Sequence, residues 1–339
     1  MEQSKLPMIE LHLHLDGAIP PETMWALAQE KKIPMPAETL EGFRHWLVET
    51  SDCADVNTYL ARFELPLQLM QDAPSIARVT KDLMTELSRQ GHIYDEIRFA
   101  PQLHRREGLT QRQAIEAVLE GRRQALAENP GYDAGILLCA MCIGPETVNM
   151  AENLETVRLA KEFLGRGVVG ADLAGAEGIV PLRRFHPVFD LARELGVPAT
   201  CHAGDSQGPD TVRDALSFGV RRIGHGHHIY DEPSLWEPAI ARGVTLEICP
   251  TSNIQCHTQP SYREHPAKKL LDAGLRLCIS TDNMTLAAVS LADEYRHCVQ
   301  DMGFTQEDLG KMLVFAAEAA FLPEEEKQKL ITRVKEALS

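Results

Sequence analysis

Eight short apolar runs rich in β-formers, separated by stretches of helical periodicity, leave few folds open to this chain. They are residues 8–15 (MIELHLHL), 93–101 (IYDEIRFAP), 134–141 (AGILLCAM), 168–174 (VVGADLA), 197–203 (VPATCHA), 222–228 (RIGHGHH), 244–251 (VTLEICPT) and 276–282 (RLCISTD). Strands that alternate with helices pair in parallel through right-handed crossovers. Eight such units predict an α/β fold, the (β/α)8 TIM barrel, over an open sheet. The stretches 110–128, 146–165 and 209–218 read as crossover helices, with Pro145, Pro209 and Gly196 punctuating helix ends. Residues 20–92 break the rhythm: too long for one crossover, they predict extra helices inserted after the first strand, where barrels carry lids. With no internal repeat, linker or charged tail, residues 1–339 read as a single barrel domain with 20–92 as a helical lid insertion.

Charge narrows the partners. Lys and Arg total 34 against 49 Asp and Glu, a formal charge of -15, which repels a phosphate backbone and argues against nucleic acid as a partner. A neutral or cationic small molecule fits better. The first apolar stretch is broken by Glu10, His12 and His14 before it reaches signal or membrane-span length, so no membrane partner and a cytoplasmic location are expected. Eight scattered cysteines agree with reduced, buried thiols. Cys139 and Cys142 form a C-x-x-C with neither a second pair at zinc-finger spacing nor a helix start behind it, so no redox or zinc role is assigned to them.

In a barrel of this kind the active site lies at the C-terminal ends of the strands. His12 and His14 sit two apart on the first run, so their side chains leave the same face and can converge on one ion. Alone, that spacing also suits the solvent face of a strand. Three later run ends strengthen the metal reading: His202 ends the fifth, His225 sits between two glycines in the sixth, and Asp282 closes the eighth in Ser280-Thr281-Asp282. His227 and His228, directly behind, read as loop residues.

Five segments, LPMIELHLHLDG, DLAGAEG, CHAGD, RIGHG and ISTDN, in that order and spacing, make the chain resemble the adenosine deaminases of the amidohydrolase superfamily. The resemblance runs from residue 6 to about 320 and includes NTYLARFELPL in the insertion. It implies that His12, His14, His202 and Asp282 bind one Zn2+ per chain, which makes hydroxide available near neutral pH for attack on C6 of a purine. It also implies that His225 holds and deprotonates the attacking water with help from Asp282.

Attack at C6 requires protonation of purine N1, and the family places a carboxylic acid for this after His-Ala-Gly. Here the position is Asp205, where the usual residue is Glu. Aspartate keeps the acid but shortens its reach, and a misplacement of about 1 Å can cost on the order of 10²-fold in rate. Gly175 matches the glycine whose backbone N–H meets purine N3, although a turn glycine after the fourth strand looks the same in sequence. Asn283 stands where other members carry an Asp facing N7; its amide can donate to an unprotonated nitrogen directly. Asp16 matches the residue that binds the ribose 5'-hydroxyl, although Asp before Gly also forms turns. Tyr59, Leu60 and Phe63 match the apolar gate, and such a stripe also serves plain packing. His14 counts as a substrate contact as well as a ligand.

The activity so implied is hydrolytic deamination of adenosine or 2'-deoxyadenosine to the inosine product and ammonia, with a small purine nucleoside as partner. Asp205 leaves room for another 6-aminopurine, such as adenine, a modified adenosine or aminodeoxyfutalosine. A catalytically weak nucleoside-binding homologue is the remaining alternative, and retention of every metal position argues against it.

Overall fold

Strands covered by helices meet water on neither face, and the strands of this chain are accordingly buried almost throughout. The computed structural model describes residues 6–53, 55–144 and 148–339. β1 (Met8–His14), β2 (His92–Phe99), β3 (Asp133–Cys142) and β4 (Val168–Gly175) pair in parallel in that order, as do β5 (Thr200–Ala203), β6 (Arg222–His225), β7 (Thr245–Ile248) and β8 (Arg276–Ile279). Parallel bridges join the two halves at Ala171 with Ala199 and at Leu13 with Asp282. At the second seam His14 N donates to Asp282 O at 2.8 Å and Asp282 N to His12 O at 3.0 Å. The result is the eight-stranded parallel barrel that the sequence predicts.

The last four strands are shorter than their apolar runs, for local reasons. The ladder of β6 ends at His225, whose φ of 59° and the 72° of Gly226 turn the chain out of the sheet. Behind β7, Pro250 has no N–H to continue a ladder and instead opens a helix. Behind β8, Asp282 adopts a φ of 64°. The chain stays buried through these turns, so its hydrophobicity outlasts the strand.

Between β1 and β2 lie α1 (Pro21–Lys31), α2 (Leu40–Glu49), α3 (Val56–Ala61), α4 (Glu64–Leu69) and α5 (Ala73–Gln90). α5 starts on an Asp72 cap, stops on Gly91 at φ 98°, and buries Ile76, Val79, Leu83, Met84 and Leu87. It packs beside α6 (Gln111–Glu128) and against β2, so it stands in the outer ring of the barrel, and the segment over the strand ends is α3 and α4. α6 begins with a capping box: Thr110 Oγ1 accepts from Gln113 N at 3.2 Å and Gln113 Oε1 accepts from Thr110 N at 2.9 Å. α7 (Met150–Phe163) falls within the expected helix of 146–165, whose first two residues, like Pro145 before them, lie outside the described residues.

The remaining helices follow in chain order: α8 (His186–Leu195), α9 (Pro209–Phe218), α10 (Trp236–Ala241), α11 (Pro250–Gln255), α12 (Ala267–Asp272), α13 (Leu291–Gln300), α14 (Gln306–Ala319) and α15 (Glu324–Leu338). Among the described residues no helix is long and apolar enough to cross a membrane. One continuous hydrophobic cluster runs from Leu6 to Val334. Inside the barrel, by contrast, charged side chains are fully buried, among them Glu10, Arg98, Arg222 and Glu247. All eight cysteines are free and buried; Cys139 and Cys142, three apart on β3, leave opposite faces of the strand.

Candidate active site

β1 aims His12 and His14 the same way, as the period of two requires, and the ends of β5 and β8 bring His202 and Asp282 to meet them. One ligand atom from each of the four lies within 4.8 Å of all the others. His14 Nε2 and His202 Nε2 stand 3.2 Å apart, and Asp282 Oδ1 is 3.3 Å from both His12 Nε2 and His14 Nε2. His12 Nε2 is buried without a hydrogen-bond partner.

The far nitrogens are occupied. His12 Nδ1 meets Glu247 Oε2 at 2.8 Å, and His202 Nδ1 meets Asp172 Oδ2 at 3.0 Å and the Leu173 carbonyl at 3.1 Å. An imidazole that donates outward from Nδ1 turns its Nε2 lone pair inward, as a metal ligand must. Burial pushes the His12 and His14 pKa values down, which favours the neutral, ligating form. Two imidazoles turned inward in this way, one of them with an orphaned Nε2, together with His14 and one carboxylate fit a divalent ion of the zinc type.

Arg98 holds the supporting carboxylates, donating to Asp172 Oδ2 at 2.9 Å and Glu247 Oε2 at 2.8 Å. Asp282 is held on three sides: by its two backbone bonds to β1 and by Ser252 Oγ, which donates to Oδ2 at 2.7 Å. Its left-handed backbone, like that of His225, costs a non-glycine residue on the order of 1–3 kcal/mol and persists because the surroundings over-determine it.

Above the cluster opens a cavity of about 380 Å³. It is lined by His14, Asp16, Tyr59, Leu60, Phe63 and Gly175, and by His202, Asp205, His225, Asp282 and Asn283. Every residue singled out in the sequence is therefore here, with His12 beside its fellow ligands. No Lys or Arg among the described residues lines the cavity.

Asp205 uses its two oxygens differently. Oδ1 accepts from Asn253 Nδ2 at 2.7 Å, Thr258 Oγ1 at 3.1 Å and His227 Nε2 at 3.3 Å, whereas Oδ2 has no partner among the described residues. Burial raises its pKa, but His225 and His227 outweigh burial and hold the carboxyl well below the usual range. Asp16, buried and with Oδ1 unpaired, is pushed by burial up to about 6.

Two glycines are forced by contact. A Cβ on Gly17 would stand 1.9 Å from Asn283 Oδ1, and one on Gly175, at φ 108°, 2.5 Å from the Cys142 carbonyl. Gly175 thus meets the demands of a strand neighbour as well as lining the cavity. Tyr59 packs with Cys53 and Cys256, Phe63 sits edge-on to His14 with ring centroids 6.4 Å apart, and Arg62 donates to the Leu286 carbonyl at 2.7 Å. That last bond ties α3 to the loop after β8.

Sequence reasoning missed several contributors. His227 is no idle loop residue: it is fully buried, takes Gln259 Nε2 at Nδ1 (3.0 Å) and meets Asp205 with Nε2. The tight turn after β6 folds it back under the cavity wall. His228 lies not in a loop but in the same 3-10 helical turn as His227, half-buried and paired with Asp231 at 2.6 Å. Glu177 is another such contributor: its carboxylate accepts the backbone N–H groups of Gly204, Asp205, Ser206 and Gln207 at 2.6 to 3.1 Å, fixing the loop that carries Asp205. Asn253, Asp172, Glu247 and Arg98 carried no signal beyond being polar residues in apolar runs or beside them.

A family model described as adenosine deaminase matches residues 7–337. The chain belongs to the adenosine deaminase family. A relative named adenosine deaminase, from Haemophilus ducreyi, is 37% identical over 332 residues, covering 97% of this chain and 96% of its own. Among solved structures, an adenine deaminase from Arthrobacter aurescens superposes with a TM-score of 0.87 at 22% identity, covering 98% of this chain and 99% of its own. An amidohydrolase from Burkhoderia ambifaria with bound Zn gives a TM-score of 0.86 at 22% identity, covering 99% and 92%. At that identity the two structures show a shared fold, the eight-stranded α/β barrel. Membership makes this chain a hydrolytic deaminase.

Proposed function

We propose that the chain hydrolyses adenosine and 2'-deoxyadenosine to inosine and 2'-deoxyinosine, releasing ammonia. One observation carries the reading: a single cavity brings together four side chains able to hold a metal and a carboxylate with one free oxygen, with no Lys or Arg among its described lining residues. A 5'-phosphate would find three carboxylates, Asp16, Asp205 and Asp282, and no cation among the described lining residues, so the cavity suits a nucleoside over a nucleotide.

Zn2+, held by His12, His14, His202 and Asp282, would supply hydroxide at neutral pH for attack on C6. The chain's own groups do the rest. His225 and Asp282 hold the attacking oxygen. Asp205, gripped through Oδ1, offers Oδ2 to keep a proton at purine N1. Asn283 reaches N7 and Gly175 lies near N3, while Asp16 accepts from a ribose hydroxyl. Tyr59, Leu60 and Phe63 close the cavity as part of a lid on a one-domain barrel, excluding water from the reacting centre. We place the enzyme in the cytoplasm, where eight free buried thiols stay reduced.

Asp205 itself favours a second reading, in which the preferred substrate is adenine or another 6-aminopurine. Ammonia release from zinc-loaded protein, measured over adenosine, 2'-deoxyadenosine, adenine and N6-methyladenosine, separates the two. Adenosine and deoxyadenosine should turn over best. Turnover of adenine but not adenosine would overturn the role given to Asp16, and turnover of none would sink both readings.

A further inference from the structure

A backbone N–H can only donate, so a chain of hydrogen bonds that begins on one fixes the proton positions along it. Such a chain runs behind the cavity wall. Ala267 N donates to His265 Nδ1 at 3.2 Å, which leaves neutral His265 with its proton on Nε2. His265 Nε2 lies 3.2 Å from Asn253 Oδ1 and so donates to it, which settles the direction of the amide. The Asp205 carboxylate settles it independently from the other end, because Oδ1, an acceptor, lies 2.7 Å from Asn253 Nδ2. The amide has a second hydrogen, and the same Nδ2 is 3.0 Å from His225 Nδ1. Facing an N–H, Nδ1 of His225 must be the acceptor. With Nδ1 accepting, the ring proton of His225 sits on Nε2, the nitrogen left for the cavity that this residue lines.

From this we infer that Asn253, oriented by His265, is a positioning residue for the reaction. Its one amide engages Oδ1 of Asp205, leaving Oδ2 for the purine, and makes His225 a hydrogen-bond donor toward the attacking oxygen. Asn253 does not itself line the cavity; it is fully buried and acts through the two residues it touches. A donor held at that point stabilises charge developing on oxygen without reorganising at the moment of reaction. This replaces the expectation that His225 takes the proton from water, since its cavity-facing nitrogen already holds one. The inference rests on the deaminase reading of the site.

Two measurements on zinc-loaded protein test it. The first is a ¹⁵N correlation spectrum of histidine-labelled enzyme, with His225 assigned by the signal lost in His225→Gln. It should show His225 protonated on Nε2, and in Asn253→Asp, whose carboxylate can only accept, the proton should move to Nδ1. The second is steady-state kinetics. Asn253→Asp should lose on the order of 10²-fold in kcat, as removal of a charge-stabilising donor does, with KM within about threefold.

His265→Gln keeps an N–H for Asn253 Oδ1 and should retain most of kcat, whereas His265→Leu should behave like Asn253→Asp. A wild-type His225 protonated on Nδ1 overturns the inference, as does an Asn253→Asp enzyme with kcat within about threefold of wild type. Failure of the wild type to deaminate any aminopurine would instead count against the deaminase reading. The spectrum would then still decide the direction of the Asn253 amide.

Discussion

Replacing Asp205 by Asn isolates the acid at N1 more cleanly than any other change in the site. The three donors that grip Oδ1, from Asn253, Thr258 and His227, need only an acceptor, and an amide oxygen provides one. The amide nitrogen must then take the place of Oδ2, presenting hydrogens where the proton at N1 needs an acceptor. Loss of a positioned acid–base group costs about 10²- to 10⁴-fold, equivalent to roughly 2.7–5.4 kcal/mol of transition-state stabilisation. The structural cost falls on those hydrogen bonds: one to a charged group contributes about 1.5–3 kcal/mol and a neutral one about 0.5–1.5, so the fold should lose roughly 1–1.5 kcal/mol per bond. The assay is ammonia release at saturating and limiting adenosine, beside zinc per chain and a thermal melt. Low kcat, little-changed KM and full metal content are expected. A near-normal kcat in metal-loaded Asp205→Asn would refute the reasoning, because another group would then have to hold the proton at N1.

Gly17→Ala forces its new Cβ against Asn283 Oδ1, 1.9 Å away, and should displace that side chain; KM for adenosine is expected to rise about tenfold or more with zinc retained, checked by kinetics and metal analysis. Glu294 gives a pH-dependent stability. Burial, with Oε2 unpaired, lifts its pKa from 4.5 to about 8. Its contribution is full below pH 4.5, where folded and unfolded forms are both protonated, and is lost as pH rises toward 8, where only the unfolded chain has released the proton. Between pH 5 and pH 8 the wild type should therefore lose at least about 1 kcal/mol more stability than Glu294→Gln, read from melts across that range. Finally, a chelator should abolish turnover and lower the melting temperature, zinc should restore both, and activity that survives exhaustive metal removal would contradict the ligand assignment.

What the sequence reveals follows from the range over which each feature is encoded. The H-x-H of β1 is legible because a strand's period of two is local, and α9 is legible from end to end because Pro209 opens it and Gly219 closes it. Asn253 is not. It sits one turn into α11, and its partners Asp205 and His225 lie 48 and 28 residues away, so only closure of the barrel makes it a neighbour of either. The apolar runs overshoot the strand ends because hydrophobicity records burial, and the turns that carry His225 and Asp282 into the site are as buried as the strands before them. The insertion reads as one unit in sequence because nothing in its composition separates α5, which completes the barrel wall, from α3 and α4, which face the cavity.

The buried charges around the ligand cluster explain why metal loss should reach stability as well as rate. Arg98 and Arg222 set two positive charges against the carboxylates of Asp172, Glu247 and Glu96, and Asp282 adds another carboxylate beside them. With neutral imidazoles, that region keeps an excess of buried negative charge, a costly state in a medium of low dielectric unless a cation completes it. A divalent ion among His12, His14, His202 and Asp282 cancels the excess. Without the ion the chain must take up protons, and the imidazoles are the groups placed to hold them: Asp172, at 3.0 Å, already pulls the His202 pKa up against burial. Chelation should therefore be accompanied by proton uptake, and the metal-free protein should melt closer to the holoprotein at pH 5.5 than at pH 8.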